Sequence, residues 1–183
     1  MGHPKYLQRA FETLKWFSHD GLHSGLSVAL GKEPHIRSIV YDVRRHPEYV
    51  VAERRAEMDR LFEKYDKNPV IFTDDIIDIY RIWSSEPAFD DRLLCIDERG
   101  RLIHLEGFFA PDIQLYDMVK VSDAGWGTRH WDCAAASCLG DVTAVTLSES
   151  GRITTFHGGH TVADLSYDPG SGILKRKIRI PVR

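Results

Sequence analysis

Cysteine is scarce in this chain: Cys95, Cys133 and Cys138 are all that 183 residues carry, an odd number set inside apolar stretches. A disulfide scaffold is excluded, and reduced, buried thiols in a cytoplasmic protein are the expectation. Long apolar runs are missing too, so no membrane segment is expected. The stretch after Met1 is amphipathic and broken by Lys15, His19 and Asp20, which is not the pattern of a signal peptide. Neither sign of charge is in large excess. Twenty-four basic against 27 acidic residues leave a net charge of −3. That argues against a broad non-specific nucleic-acid surface and leaves room for a local basic pocket.

Several familiar loops are absent as well. No Walker loop, no Gly-x-Gly-x-x-Gly and no Gly-x-Ser-x-Gly occurs, which removes the usual nucleotide-loop and nucleophile-elbow readings. There is no internal repeat and no low-complexity segment. Zinc fares no better. On a helix, His130 and Cys133 share a face, but Cys138 lies about 140° from Cys133 at ~100° per residue, and no second Cys pair exists. His157 and His160 around two glycines are a similarly weak pair.

What is present suits one domain with a real core, placed over residues 1–172. The basic tail 173–183 reads as a final strand or a linker toward a partner domain. Spacing predicts helices over 4–17, 49–65 and from Thr73 to Trp83, with strands at Leu26–Leu30, Val70–Phe72 and Asp91–Asp97. Ile36 to Val43 reads as a strand after a Lys32-Glu33-Pro34 turn. Asp97 to Gly100 reads as a hairpin turn leading into a return strand from Arg101 to Phe109. Residues 112–126 form a long connection, and long connections are often functional. A strand from Val142 to Leu147 and a Ser148-Glu149-Ser150-Gly151 turn follow, then a strand from Arg152 to Phe156. Alternating helices and strands give an α/β fold, with a mixed central β-sheet flanked by helices.

The chemistry concentrates at Gly127-Thr128-Arg129-His130, a glycine loop running into the Ala-rich segment Trp131 to Ser137. Helix starts present unpaired backbone N–H groups and partial positive charge, so an anion can sit on Gly127 and Thr128. Arg129 supplies a forked donor and His130 a second one. The same residues also suit an ordinary helix start capped by Thr128, with Arg129 and His130 in solvent. In open α/β sheets ligands lie beyond strand ends beside helix starts, which brings in Glu149 after the strand ending at Leu147. Asp91 and Glu149 together are the carboxylate pair that a hard divalent metal such as Mn2+ or Mg2+ needs to bridge nucleotide phosphates. Taken singly, Asp91 is also a turn carboxylate beside Asp90, and Glu149 also belongs to its hairpin turn.

These residues resemble a known family. Gly127-Thr128-Arg129-His130, the Ala-rich helix, Asp141, an apolar strand and Ser148-Glu149-x-Gly151 follow the order and spacing of the diadenylate cyclase domain. That is the nucleotide-binding domain of the DNA-integrity-scanning protein and its membrane-bound relatives. Asp91 to Gly100 is similar to the family's Asp-Gly-Ala strand and turn, Phe108 to Pro111 to the segment after its return strand, and Leu26 to Gly31 to its first core strand. The resemblance covers about Asp91 to Gly159. It implies a mixed sheet flanked by helices, an adenine nucleotide beside the loop, and two domains face to face. In the enzymes a metal and the family's Asp help each ATP 3′-hydroxyl attack the other ATP's α-phosphate, giving cyclic di-AMP and pyrophosphate. By position Asp91 would be the catalytic carboxylate and a metal ligand. Thr128, Arg129 and His130 would hold phosphates, and Ser148 and Glu149 would lie at the nucleotide and metal site.

The chain departs from the family at Arg92 and Leu93, where the pattern has Gly and Ala, and at Trp131, where it has Arg. Large side chains deny close backbone approach, and Trp removes a forked donor. Asp132 adds negative charge where the pattern has Ala. The resulting expectation is an adenine-nucleotide or cyclic-dinucleotide sensor with reduced or no cyclase activity. It would work as a homodimer or higher oligomer, with a fused or associated effector. An active diadenylate cyclase and a ligand-free interaction module are the alternatives.

Overall fold

Leu26–Leu30 (β1) is five residues with no charge, and all five are buried. A strand buried on both faces belongs in the middle of a sheet. A computed structural model places it there, in a seven-stranded sheet ordered β4-β3-β1-β6-β7-β8-β9. The structure describes residues 25–42, 52–68, 92–105, 107–120, 125–148, 150–168 and 173–178. The strands are β3 (Arg92–Ile96), β4 (Leu102–Leu105), β6 (Thr143–Leu147), β7 (Ile153–His157), β8 (His160–Asp168) and β9 (Ile173–Ile178). β1 runs parallel to β3 and antiparallel to β6, and the remaining neighbours in this sheet are antiparallel. The expected α/β fold with a mixed sheet and several helices is therefore present. The predicted elements over 4–17 and 70–83 lie outside the described residues. No helix among the described residues is long and apolar enough to cross a membrane.

Two sequence expectations need correction. The strand expected from Ile36 to Val43 begins instead as helix α1 (Glu33–Ser38), and only β2 (Val40–Asp42) is extended. Pro34 stands in the first helical turn, where its missing N–H has no partner to lose. Glu33 pairs with Arg37 one turn on, at 2.8 Å, and Ile36 is buried. The single return strand expected from Arg101 to Phe109 is two strands. β4 stays beside β3, whereas β5 (Gly107–Phe109) leaves to form a separate two-stranded sheet with β2. Phe109 points into the core, while Phe108 stacks on Tyr41 of β2 with ring centroids 4.9 Å apart. Of the tail 173–183, Ile173–Ile178 forms strand β9 beside β8, and residues 179–183 lie outside the described residues. The helix expected over 49–65 is α2 (Ala52–Lys67).

The 112–126 connection holds a short helix, α3 (Ile113–Asp117), capped by Asp112, whose carboxylate accepts the Gln114 N–H at 3.0 Å. The Ala-rich segment is helix α4 (Thr128–Ala136). Its cap is Gly127 rather than Thr128, and no side chain caps it. Cys133, Ala134 and Ala136 pack in one core cluster with Ala29, Leu93, Ala144 and Phe156. Small residues on both helix and sheet let α4 lie close to the strands. At its far end the Gly158–Gly159 turn docks onto it. The N–H groups of Gly158 and Gly159 donate to the carbonyl and hydroxyl of Ser137 at 2.8 and 3.1 Å.

Asp141, matched by resemblance to the family's Asp before the strand, anchors this same far end. It accepts the Lys32 N–H at 3.1 Å and bonds His35. Burial pushes its carboxyl up, but the bonds from His35 and Lys32 outweigh that and hold it below the ordinary carboxylate range.

Candidate functional site

The strand register collects one set of chain ends. Leu26 pairs with both Arg92 and Leu147, and Leu147 pairs with Ile153. The starts of β1, β3 and β7 therefore meet the C-terminal end of β6. The sequence left open which end of the sheet the start of β3 would occupy. The parallel β1–β3 pairing brings Arg92 to the same end as Ser148. The start of α4 opens there too.

Between these elements lies an open cleft of about 370 Å3. One wall is the start of α4, with Gly127, Thr128, Arg129 and His130. The other is the β6–β7 turn, with Ser148 and Ser150, and Arg152 beyond it. The turn forms because Gly151 takes a φ of 76° that other residues disfavour. Its N–H donates to the Ser148 carbonyl at 2.9 Å, and the Ser148 N–H donates to the Arg152 carbonyl at 2.9 Å. The Ser148 hydroxyl lies 2.8 Å from that of Ser150.

Electrostatics favour an anion here. The uncapped helix start contributes partial positive charge. Arg129 and Arg152 add two guanidinium groups to the lining, the second paired with the Asp164 carboxylate. Arg152 is held from behind by Asp164 of β8, with Nε 2.9 Å from Oδ1 and Nη2 2.5 Å from Oδ2. Such a two-point bond fixes the plane of the fork as well as its place. Towards the core, the next pairs along the sheet are polar. Ser27 donates to Thr146 at 3.2 Å, Cys133 leans on Ser27 at 3.6 Å, and Thr154 pairs opposite Thr146. Burial pushes the Cys133 thiol up to about 12, so it is no nucleophile at neutral pH. Cys95 is likewise buried with a raised pKa, whereas Cys138 is only half-buried, a correction to the expectation of three buried thiols.

The sequence-predicted residues separate clearly. Gly127, Thr128, Arg129 and Ser148 come together in the cleft. His130 is there too, but the residue is only 6% exposed. It stacks on Trp126 with centroids 6.1 Å apart and meets Phe156 edge-on at 6.3 Å. Its place is the aromatic packing beneath the helix start rather than the open wall. Trp131 belongs to the same cluster, edge-on to Trp126 at 5.4 Å. Asp132 accepts the Tyr116 hydroxyl of α3 at 2.5 Å, so its charge is engaged by α3. Burial, with Asp132 second, raises the Tyr116 pKa. Asp91 and Glu149 lie outside the described residues. Among the described residues, no three His, Cys, Asp or Glu side chains gather to hold a metal ion.

Sequence reasoning passed over Arg152 and Ser150, which also line the cleft. Arg152 gave one usable signal, its place just after a Ser-Glu-Ser-Gly turn that was already suspected. The chain matches no protein-family model and no curated protein. The likeness to the diadenylate cyclase domain therefore rests on the quoted residues alone.

Proposed function

We propose that this chain binds an adenine nucleotide or a cyclic dinucleotide in the cleft between the start of α4 and the β6–β7 turn. In this reading it acts as a sensor with reduced or no cyclase activity. One observation carries the reading: the contiguous Gly127, Thr128 and Arg129 of the helix start and Ser148 of the β6–β7 turn line a single cleft together with Arg152. Phosphate oxygens would take the backbone N–H groups at the helix start, the Arg129 fork and the Ser148 hydroxyl. Arg152 would face the same charge from the opposite wall. If cyclase activity is retained, a divalent metal, Mn2+ or Mg2+, would sit with Asp91 and Glu149; without that activity no cofactor is required. Their chain neighbours Arg92 and Ser148 stand at this end of the sheet. Bound there, the metal would screen phosphate charge. The face-to-face dimer or higher oligomer, the cytoplasmic setting and a fused or associated effector belong to the same proposal.

The test is calorimetry with ATP and with cyclic di-AMP, with and without Mn2+, on the wild-type chain and Arg129→Ala. Saturable binding that weakens at least tenfold in Arg129→Ala, about 1.4 kcal/mol, is expected, with little cyclic di-AMP formed from ATP. Robust cyclic di-AMP that disappears in Asp91→Asn would instead make the chain an active cyclase. No binding of either nucleotide, and no effect of Arg129→Ala, would leave a ligand-free interaction module.

A further inference from the structure

We propose that Gly25 is a positioning residue for Arg129, whose guanidinium lies in the space that any side chain at position 25 would fill. The inference rests on the reading of the cleft as a phosphate site. A methyl group built on Gly25 would overlap the Arg129 Cζ and both of its Nη atoms. Gly25 immediately precedes β1, at the sheet end where Ser148 also stands. Arg129 thus reaches back from the first turn of α4 and lies over bare backbone at the start of the central strand. A planar, weakly hydrated guanidinium suits such a bare surface, and a compact, strongly hydrated ammonium does not. The charge is also felt one turn along α4, where it favours the ionised form of the Cys133 thiol.

The consequence is pre-organisation. With position 25 bare, the fork is parked at the cleft before any anion arrives. A larger residue would drive it into other rotamers, and each binding event would then have to re-order it. The backbone itself does not demand glycine here. The glycines with positive φ among the described residues are Gly100, Gly151, Gly158 and Gly159, and Gly25 is not one of them. The three atoms nearest to such a Cβ all belong to the far end of a flexible side chain. Gly25→Ala therefore separates the fold from the placement of Arg129.

The experiment compares wild type, Gly25→Ala, Arg129→Ala and the double variant. It reads ATP affinity by calorimetry, thermal unfolding, and the arginine Nε–H signals in 1H–15N spectra. The signal missing from Arg129→Ala identifies Arg129. Gly25→Ala is expected to unfold within a few degrees of wild type, to bind ATP at least tenfold more weakly and to shift the Arg129 signal. The double variant is expected to bind no more weakly than Arg129→Ala. An unmoved Arg129 signal, wild-type affinity in Gly25→Ala, or losses that add in the double variant would overturn the inference. Unfolding of both Gly25→Ala and the double variant would also overturn it, because the requirement would then lie in the backbone. If the wild type does not bind ATP and yet the Arg129 signal moves in Gly25→Ala, the positioning stands and the nucleotide reading falls.

Discussion

Arg152, just before β7, holds Asp164 of β8 at two points, with both carboxylate oxygens bonded by the guanidinium at 2.9 and 2.5 Å. The pair is three-quarters or more shielded from water on both sides, 25% and 17% exposed. Removing one partner of a shielded pair leaves the other charge poorly solvated. Asp164→Asn is expected to lower stability by about 1–3 kcal/mol, read from the denaturant midpoint at unchanged slope. Arg152→Ala is expected to weaken ATP binding about tenfold, or about 1.4 kcal/mol. It should also flatten the salt dependence, since one cation fewer faces the phosphates.

The β3–β4 turn depends on Asp97, which is 2% exposed. Its carboxylate accepts the N–H groups of Arg99 and Arg101 at 2.9 and 2.8 Å and the Arg101 Nε at 2.7 Å. Arg101 continues to Glu33 of α1 at 3.0 Å. Asp97→Ala strips three donors of one acceptor at once. A loss of about 3 kcal/mol or more in unfolding free energy is expected, with no change in the α4 cleft. Nucleotide affinity measured well below the melting temperature should stay within twofold of wild type.

Acid should loosen the opposite end of the sheet. The folded Asp141 carboxyl is held below its ordinary value, so it stabilises the fold above the unfolded carboxylate range. That contribution is lost as pH falls through the depressed folded value. Asp141→Asn is expected to cost about 1 kcal/mol at pH 7. The difference between the two proteins should begin to shrink near the unfolded carboxylate value, about pH 4, and narrow further as pH falls through the depressed folded value. Urea unfolding of both proteins across pH 3–7 checks the sign: convergence at low pH is expected, and a constant gap would count against it.

The Gly158–Gly159 turn tests the docking of α4. Gly159 has a φ of 76°, and a Cβ there would stand 2.8 Å from Cys138 Sγ and 2.9 Å from the Met118 carbonyl oxygen. Gly159→Ala combines a left-handed backbone with a close contact to main chain. A loss of about 2 kcal/mol is expected, seen as a lower thermal midpoint. Gly158→Ala has the same kind of φ but open space around its Cβ, and should cost less.

Local signals carried a good share of this structure. The apolar run at Leu26–Leu30, the hairpin at Ser148 to Gly151 and the Ala-rich helix after Gly127 were all legible, because each is written in contiguous residues. The break between β4 and β5 was not, because Phe108 and Phe109 alternate just as a continuing strand would. Pro34 read as a turn, although it serves equally well in a first helical turn. In the cleft, Gly127, Thr128, Arg129 and Ser148 stand out in the sequence, and the structure brings them to one lining. What was hidden was who stands behind them. Gly25 lies 104 residues from Arg129 in sequence, and Asp164 lies on the strand beyond Arg152. Such pairs come from strand register, and register is set by the whole sheet.

The most direct test follows the backbone amides of Gly127, Thr128, Arg129 and Ser148 by 1H–15N NMR while ATP is added. Progressive, saturable shifts at these four amides are expected, lost in Arg129→Ala. Amides that stay in place at saturating ATP, or shifts confined to the separate cleft lined by Glu33, Arg37 and Arg101, would contradict a phosphate site at the start of α4.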